Sequence, residues 1–284
     1  MTEISRRLFL LGGVSLFPYL YFERLSVAVR SFQVPVQNLP PSFHGFTILQ
    51  LTDLHDKEFG TGGKELLGIL RTLDFDLVAL TGDLVVGEEP RLTPVLDLVA
   101  GMGSFSKSPV YSVCGNHEHA LNRAREFDGR LEKAGVRVLT NGWDILERGK
   151  DRLWVVGVDD PVTGRDRLEA ALSGTDSAFP RLLLAHSPHP FPQAVKSGVD
   201  LTLVGHTHGG QVRLPLLGAA YVPSMGYFPR YDYGLYRVGG SSMIVNGGLG
   251  ESWAPVRFNI RPEIVLATLV PLRQDTPPPG QATG

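Results

Sequence analysis

Five short polar motifs constrain this chain most, because each of them directly follows an apolar, strand-like run. They are DLH at 53–55, GD at 82–83, GNHE at 115–118, AHSP at 185–188 and GHTH at 205–208. In open α/β sheets, ligands bind beyond the carboxyl ends of the strands. We therefore expect these five strand ends to meet at one edge of the fold and to form a single site.

The runs between the motifs predict an α/β protein. In the first half of the chain, strand-like runs alternate with helix-like runs: strands at 47–52, 77–81 and 110–114, and helices at 64–73, 92–102 and 121–134. Residues 30–45 hold three prolines and are expected to be an extended lead-in. Strands dominate beyond residue 136. This order predicts at least one mixed sheet, or two stacked sheets with helices outside.

The composition leaves any metal site to nitrogen and oxygen ligands. Cys114 is the only cysteine, which excludes cysteine-rich zinc sites and an intramolecular disulfide. The five motifs supply two aspartates, one asparagine and five of the eight histidines. Such a set suits Mn, Fe or Zn. The number of candidate ligands is larger than one tetrahedral ion with an open coordination position can use, and it is sufficient for two divalent metal ions.

Each motif also has a purely structural explanation. Asp53 could cap a helix or form a turn, and a single histidine is more often structural than a ligand. If every explanation were structural, however, polar motifs would follow five strands by chance alone. No packing role is evident for His206 and His208. In extended backbone, residues i and i+2 project to the same side. Asp53 and His55 are therefore expected to reach one ion.

The ordered series D-x-H, G-D, G-N-H-[DE], H and G-H-x-H resembles the calcineurin-like metallophosphoesterase superfamily, over residues 47 to about 214. The motifs DYGLY, GGLG and RPEI, at 232–236, 247–250 and 261–264, resemble a bacterial subfamily of exported or membrane-bound phosphoesterases. That subfamily includes enzymes acting on UDP-2,3-diacylglucosamine. The resemblance implies the metallophosphoesterase fold, an α/β class four-layer α/β/β/α sandwich with two mixed sheets.

The resemblance also implies a role for each motif residue. Seven residues would bind the two divalent ions: Asp53, His55 and His208 the first, Asn116, His186 and His206 the second, and Asp83 both. His117 would be catalytic rather than a ligand, protonating the leaving group with support from Asp53. Glu118 would support the ligands. A metal-bridging hydroxide would attack phosphorus, with His117 as the general acid.

These roles predict a dinuclear metal-dependent hydrolase of phosphoester bonds. Phosphodiesters or pyrophosphates are favoured over monoesters, and the candidate substrates include a phospholipid or a nucleotide-linked lipid. One alternative is a non-catalytic scaffold, but the complete ligand set and His117 argue against it. Another is a nuclease, and a net charge of −2 gives nucleic acid little support as a partner.

The N-terminal residues 1–29 are predicted to be an export signal or a membrane anchor, separate from a phosphoesterase domain at 30–273. Arg6 and Arg7 precede an apolar run at 8–22, and SRRLFL resembles the twin-arginine export motif. The run is short for a membrane-spanning helix, which needs about 20 apolar residues. A buried or amphipathic first helix is the alternative. Export would place the protein in the periplasm or on the outer face of the cytoplasmic membrane, with the membrane surface as a partner.

Two further segments stand out by composition. The polar, Pro/Gly-rich residues 274–284 are predicted to be a disordered tail. Residues 214–234 are apolar and aromatic and have two interpretations. They could be a loop packed over the sheet, or a cap that meets acyl chains or the membrane surface.

Overall fold

The computed structural model of the protein describes residues 18–87, 91–120, 124–252 and 254–272. The signal or anchor predicted at 1–29 falls partly outside these residues, and the tail predicted at 274–284 falls wholly outside them. Among the described residues, no helix is both long enough and apolar enough to cross a membrane.

The first sheet is mixed and has six strands in the order β1-β16-β2-β3-β4-β5. Their bounds are β1 (Ala28–Val36), β2 (Thr47–Leu51), β3 (Leu77–Leu80), β4 (Val110–Ser112), β5 (Val136–Val138) and β16 (Glu263–Pro271). β16 runs antiparallel to β2, and the other neighbours pair in parallel. The ends of β2, β3 and β4 therefore lie side by side at one edge.

The second sheet is also mixed, with the order β14-β15-β9-β8-β7-β6. Its strands are β6 (Gly142–Arg148), β7 (Asp151–Gly157), β8 (Arg181–Leu184), β9 (Leu201–Val204), β14 (Gly234–Val238) and β15 (Ser241–Val245). β7, β8, β9 and β15 pair in parallel, and β6 and β14 are antiparallel outer strands. The ends of β8 and β9 are thus neighbours.

Helices cover the outer face of each sheet. The described helices are α1 (18–25, as far as the described residues reach), α2 (Lys64–Leu70), α3 (Thr93–Gly103), α4 (Asn116–Ala120), α5 (Ala124–Lys133), α6 (Leu168–Leu172) and α7 (Phe191–Lys196). Leu49 and Leu51 of β2 pack with α2, α3 and α5, whereas Leu183 of β8 packs with α6 and α7. These contacts form the two outer interfaces of the fold.

The central core lies between the two sheets. Ile48 of β2 and Ala79 of β3 share one buried cluster with Val155 of β7 and Leu203 of β9. Ile48 faces this core while Leu49 faces the helices, as the alternation of side chains along a strand requires. The four-layer α/β/β/α sandwich with two mixed sheets is therefore confirmed.

The expectation of an extended lead-in at 30–45 was too simple. Residues 28–36 form β1, and all nine of them align with β16. Pro35 is compatible with this strand because β1 lies at the edge of the sheet, where a missing N–H breaks no ladder. The structure also contains 3₁₀ turns at Pro41–Phe43, Thr61–Gly63 and His208–Gly210.

Two short hairpins follow this third turn. The first hairpin joins β10 (Arg213–Leu214) to β11 (Gly218–Ala219), and the second joins β12 (Tyr221–Val222) to β13 (Gly226–Tyr227). They occupy most of the stretch 214–234 that the sequence leaves open between two interpretations. Ala219 and Val222 are buried, whereas Tyr221 and Tyr227 are exposed. The hairpins therefore pack on the protein with one side only.

Candidate metal centre

The five polar motifs meet at one edge of the sandwich, as predicted. Asp53, Asp83 and Asn116 follow the neighbouring strands β2, β3 and β4 of the first sheet. His186 and His206 follow the neighbouring strands β8 and β9 of the second sheet. Because the two sheets are stacked, these strand ends face each other across the mouth of the central core.

A first group of donor atoms consists of Asp53, His55 and His208, all of them buried. The Nε2 atoms of His55 and His208 are 3.1 Å apart. His208 Nε2 lies 3.4 Å from Asp53 Oδ1, and His55 Nε2 lies 3.9 Å from the same oxygen. Two imidazole nitrogens and a carboxylate oxygen thus converge on one point, as in a metal site.

A second group consists of Asp83, His186 and His206, which are also buried. His186 Nε2 lies 3.2 Å from Asp83 Oδ2 and 3.1 Å from His206 Nδ1. The two groups adjoin at Asp83, since its Oδ2 is also 3.9 Å from His55 Nε2 in the first group. Asp83 therefore stands between the two sets of donors.

Asn116 and His117 begin helix α4, which the sequence did not predict. Asn116 Oδ1 is buried and has no hydrogen-bond partner among the described residues, so it is available to a cation. The His117 side chain is 26% exposed, and its Nε2 lies 3.9 Å from Asp83 Oδ2. Its ring packs edge-on against His55. His117 thus occupies the solvent side of the centre, beside His55 and Asp83; support from Asp53 stays a prediction.

The backbone at these motifs is left-handed rather than extended. Five donor residues have positive φ: Asp53 (51°), His55 (48°), Asp83 (51°), His206 (68°) and His208 (49°). The expectation that extended backbone brings Asp53 and His55 to one side was therefore wrong, although both side chains do converge. Backbone hydrogen bonds from Asp53 N to Gly82 O and from His55 N to Asp83 O hold the turn. Left-handed residues cost about 1–2 kcal/mol each and cluster at functional sites.

Glycines give the carboxylates room. A Cβ at Gly115 would lie 2.3 Å from Asp83 Oδ1, and a Cβ at Gly205 would lie 2.2 Å from Asp53 Oδ2. Any side chain at either position would displace a carboxylate. The glycines that precede Asn116 and His206 are thus required by the close approach of the strand ends.

Neighbouring polar atoms orient the donors. His186 Nδ1 lies 2.9 Å from Thr81 O, which directs Nε2 towards Asp83. His206 Nε2 lies 2.7 Å from Ser224 Oγ of the second hairpin, which directs Nδ1 towards His186. Such partners fix the ring orientation and tautomer of ligating histidines.

Glu118 ties two motif loops together from behind. Its buried carboxylate accepts hydrogen bonds from Asp83 N (2.8 Å), Leu84 N (2.7 Å) and Gly115 N (2.7 Å). Burial, and then the charge of Asp83, raises the pKa of Glu118 to about 7. The supporting role expected for Glu118 therefore consists of joining the loops that follow β3 and β4.

Arg257 is a buried residue that sequence reasoning missed. Its guanidinium donates to the carbonyls of Gly247, Gly248 and Gly250. This segment in turn packs on the first motif, since Gly250 N donates to Asp53 O over 2.6 Å. Burial lowers the pKa of Arg257 to about 10. No motif spacing marks this arginine, because its partners are backbone carbonyls.

Three of the four histidines in the two donor groups are neutral near pH 7, which leaves their ring nitrogens free to bind a cation. Burial lowers the pKa of His55 to about 4 and of His206 to about 3, and it lowers the pKa of His208 well below its usual value. His186 differs: burial alone would lower its pKa, but the charge of Asp83 raises it to about 10. Metal binding needs neutral imidazoles, and His55, His206 and His208 are in that form, whereas His186 must give up the proton that it shares with Asp83.

The unpartnered atoms support the same conclusion. His55 Nδ1 and His208 Nδ1 are buried without a hydrogen-bond partner among the described residues. In the part of the chain that the structure describes, the Nδ1 atoms of these two rings therefore have no fixed role, and the Nε2 atoms lie only 3.1 Å apart. The residues present fit divalent metal ions, with nitrogen and oxygen ligands and no thiolate.

Two stacked mixed sheets that present histidines and carboxylates at one edge define a class of α/β/β/α proteins with a strand-end metal site. Residues 46–210 match the family model described as Calcineurin-like phosphoesterase, and the chain belongs to this family. The superfamily resemblance is thereby confirmed. The narrower resemblance to enzymes acting on UDP-2,3-diacylglucosamine is not confirmed and stays a prediction.

Known proteins similar to this chain include two bacterial relatives. The chain is 29% identical to the metallophosphoesterase YkuE of Bacillus subtilis, over 88% of this chain and 87% of that protein. It is 30% identical to the phosphodiesterase YaeI of Escherichia coli, over 79% of this chain and 82% of that protein. Among solved structures, TT1561 of Thermus thermophilus aligns with a TM-score of 0.48 and 15% identity, over 72% of this chain and 90% of that chain.

Proposed function

We propose that this protein hydrolyses phosphodiester bonds with two divalent cations, Mn, Fe or Zn, held by the seven predicted ligands. The observation that carries the proposal is the pair of donor groups that adjoin at Asp83, each with three converging ligand atoms. Two-metal sites hold their ions about 3.5–4 Å apart and act on phosphate esters. Asn116, with its unpartnered Oδ1, completes the second group.

The chemistry divides between the cations and the chain. Divalent cations in these positions would neutralise phosphate oxygens and activate water for in-line attack. Asp83 holds the two donor groups together, and Thr81 and Ser224 keep the rings of His186 and His206 turned inward. His117, on the solvent side of the centre, donates a proton to the leaving-group oxygen. Such general acids contribute about 10²–10⁴-fold.

The substrate class rests on two supports. YaeI, a relative 30% identical to this chain, is named a phosphodiesterase, which favours diesters over monoesters. The N-terminal sequence, with Arg6 and Arg7 before an apolar run, supports export to the outer face of the cytoplasmic membrane. We therefore propose a lipid-linked phosphodiester at that face. A substrate confined to the cytoplasm, as expected for UDP-2,3-diacylglucosamine, would not meet an exported enzyme.

The substrate class is tested with the full-length chain, stripped of metal and resupplied with manganese. Turnover is compared on bis-p-nitrophenyl phosphate, p-nitrophenyl phosphate and phosphatidylglycerol in mixed micelles. The proposal predicts metal-dependent cleavage of the diesters, with the lipid preferred and the monoester poor. A preference for the monoester would contradict it. Cleavage of DNA or RNA in preference to either diester would instead indicate a nuclease.

The scaffold alternative is tested by the same preparation. His117→Ala is compared with His44→Ala, a matched control in an exposed turn at the start of β2, away from the centre. A scaffold would show no turnover in either variant or in the unmodified chain. Turnover in the His44 variant and its loss in the His117 variant would exclude the scaffold.

A further inference from the structure

The two hairpins expose a dense group of apolar side chains. The exposed residues are Leu214, Leu216, Leu217, Tyr221, Tyr227 and Phe228. Leu216 is fully exposed, and Tyr227 is 79% exposed. Leu216 also has a left-handed backbone, with φ of 66°. Folding therefore gains no burial from this leucine, and exposed apolar side chains grouped on two adjacent hairpins suggest an interaction site.

Helix α1 adjoins the hairpins through one asparagine. Tyr19 Oη donates to Asn259 Oδ1 over 2.8 Å, and Asn259 Nδ2 donates to Arg213 O, at the start of the first hairpin, over 3.1 Å. The Tyr19 ring also packs edge-on against Phe258. α1 adds three exposed apolar side chains of its own, Tyr21, Phe22 and Leu25. Helix α1, with its exposed apolar side chains, therefore lies beside the first hairpin.

The sequence that leads into α1 indicates what covers this surface. Residues 8–17 read LFLLGGVSLF, and Arg6 and Arg7 precede them. A segment of this composition, when it enters a bilayer, brings the helix that follows it to the lipid surface. Five of the nine exposed side chains are Tyr or Phe, and aromatic side chains are favoured at the boundary between lipid and water.

We propose that the two hairpins and α1 form one docking surface whose partner is a lipid bilayer. The two leucines at the tip of the first hairpin insert among the acyl chains, and the tyrosines lie at the level of the headgroups. Arg230, which is exposed and stacks on Tyr231, lies in the segment that returns from the second hairpin and faces anionic headgroups.

The docking surface is joined directly to the metal centre. Ser224, at the tip of the second hairpin, contacts His206 Nε2 at 2.7 Å. Gly210, just after His208, lies so close to the first hairpin that a Cβ would come within 2.5 Å of Ala219 Cβ. A bilayer on this surface therefore brings headgroup phosphates to the mouth of the centre; this consequence rests on the proposed function, whereas docking itself does not.

Insertion is tested with an environment-sensitive fluorophore on the full-length chain. Leu217→Cys and Tyr227→Cys are labelled with a nitrobenzoxadiazole group; Cys114 is buried, and labelling of the unmodified chain gives the blank. Leu272→Cys is the matched control, because Leu272 is exposed at the far end of β16, roughly 25–30 Å from its start. The vesicles contain phosphatidylethanolamine and phosphatidylglycerol.

The proposal predicts that vesicles raise the emission of labels 217 and 227 several-fold and leave label 272 unchanged. Water-like emission at 217 and 227 on chains bound to vesicles would overturn it, since residues 1–17 alone would then be the anchor. Shielded emission at these positions without vesicles would also overturn it, because the chain or a second copy would cover the surface. Neither readout depends on hydrolysis, so a failed docking surface is distinguishable from a failed phosphodiesterase.

A second measurement removes the apolar tip. Leu216→Ser with Leu217→Ser should lower the vesicle-bound fraction by about tenfold or more at limiting lipid, because two leucines lose their transfer into lipid. Leu272→Ser should not change binding. Both leucines are exposed, so the double variant keeps its core intact. Equal binding of the double variant and the control variant would contradict the docking surface.

Discussion

The carboxylate of Glu118 accepts a 2.8 Å hydrogen bond from the backbone N–H of Asp83, and both side chains are buried. The same carboxylate accepts a hydrogen bond from Gly115 N. Glu118 thereby connects the loop that carries the shared ligand Asp83 to the loop that carries Asn116 and His117. Correct placement of both donor groups therefore depends on a residue that offers no ligand atom to either of them.

Glu118→Gln should weaken metal binding by about 10–100-fold, as loss of an outer partner typically does. The amide replaces one accepting oxygen with a donor, which leaves a buried N–H without an acceptor and costs about 1–3 kcal/mol. Metal affinity and the thermal midpoint measure the two effects. Glu132→Gln, on the exposed side of α5, is the control. Unchanged affinity in the Glu118 variant would show that the loops are held by other contacts.

Asp83→Asn should remove most of the bound metal from both donor groups, because Asp83 lies beside His186 in one group and His55 in the other. Asp53→Asn should mainly affect the group that contains His208. Metal content per chain after gel filtration gives the comparison. If the Asp83 variant kept as much metal as the Asp53 variant, Asp83 would not be shared between the two groups.

His117→Ala should slow diester turnover by about 10²–10⁴-fold, because the variant loses its proton donor. Its metal content should stay at that of the unmodified chain, since His117 lies on the solvent side of the centre and is 26% exposed. Turnover and metal content are measured on the same sample, with His44→Ala alongside. A loss of metal in the His117 variant would make this histidine a ligand instead.

Asp200→Asn should stabilise the protein increasingly as the pH rises. Burial raises the pKa of Asp200 from 3.8 to about 6 in the folded protein. The folded state therefore holds this proton more tightly, so the carboxyl's contribution to stability is fully present below about pH 4 and is lost as the pH rises through 6. An asparagine side chain can still accept the hydrogen bond from the backbone N–H of Arg181, and it does not ionise.

Thermal midpoints of this variant and the unmodified chain, measured at pH 4, 5, 6 and 7, test the prediction. The difference should grow in favour of the variant up to about pH 6 and then level off. Asp200 lies at the start of β9, at the end of the strand opposite His206, so metal binding should not obscure the trend. A difference that is independent of pH would mean that Asp200 has the same pKa in the folded and unfolded states, so that burial does not raise it.

The location of the site was predictable because parallel neighbouring strands put their carboxyl ends at one edge. The motif residues after β2, β3 and β4, and after β8 and β9, are consequently together in the structure. The four-layer order came from the family resemblance, and the structure accounts for it: Ile48 faces the core between the sheets, whereas Leu49 faces the helices.

Other features depend on contacts that the sequence does not display. The sequence predicted only an extended lead-in at 30–45, because the prolines there argued against a paired strand, whereas pairing with the distant β16 makes residues 28–36 an edge strand. The left-handed backbone at Asp53 is stabilised by Gly82 O, 29 positions away. Arg257 bonds only to backbone carbonyls, and Ser224 reaches His206 from a hairpin with no motif. Long-range hydrogen bonds fix these details.

The central claim is that the strand-end ligands hold two ions that together hydrolyse a phosphodiester. The most direct measurement titrates manganese into the metal-stripped, full-length chain and records both bound metal and turnover of bis-p-nitrophenyl phosphate. The account predicts tight binding of two ions per chain and turnover that appears only as the second ion binds. Metal binding no stronger than in Asp83→Asn, with no turnover at any manganese concentration, would contradict it.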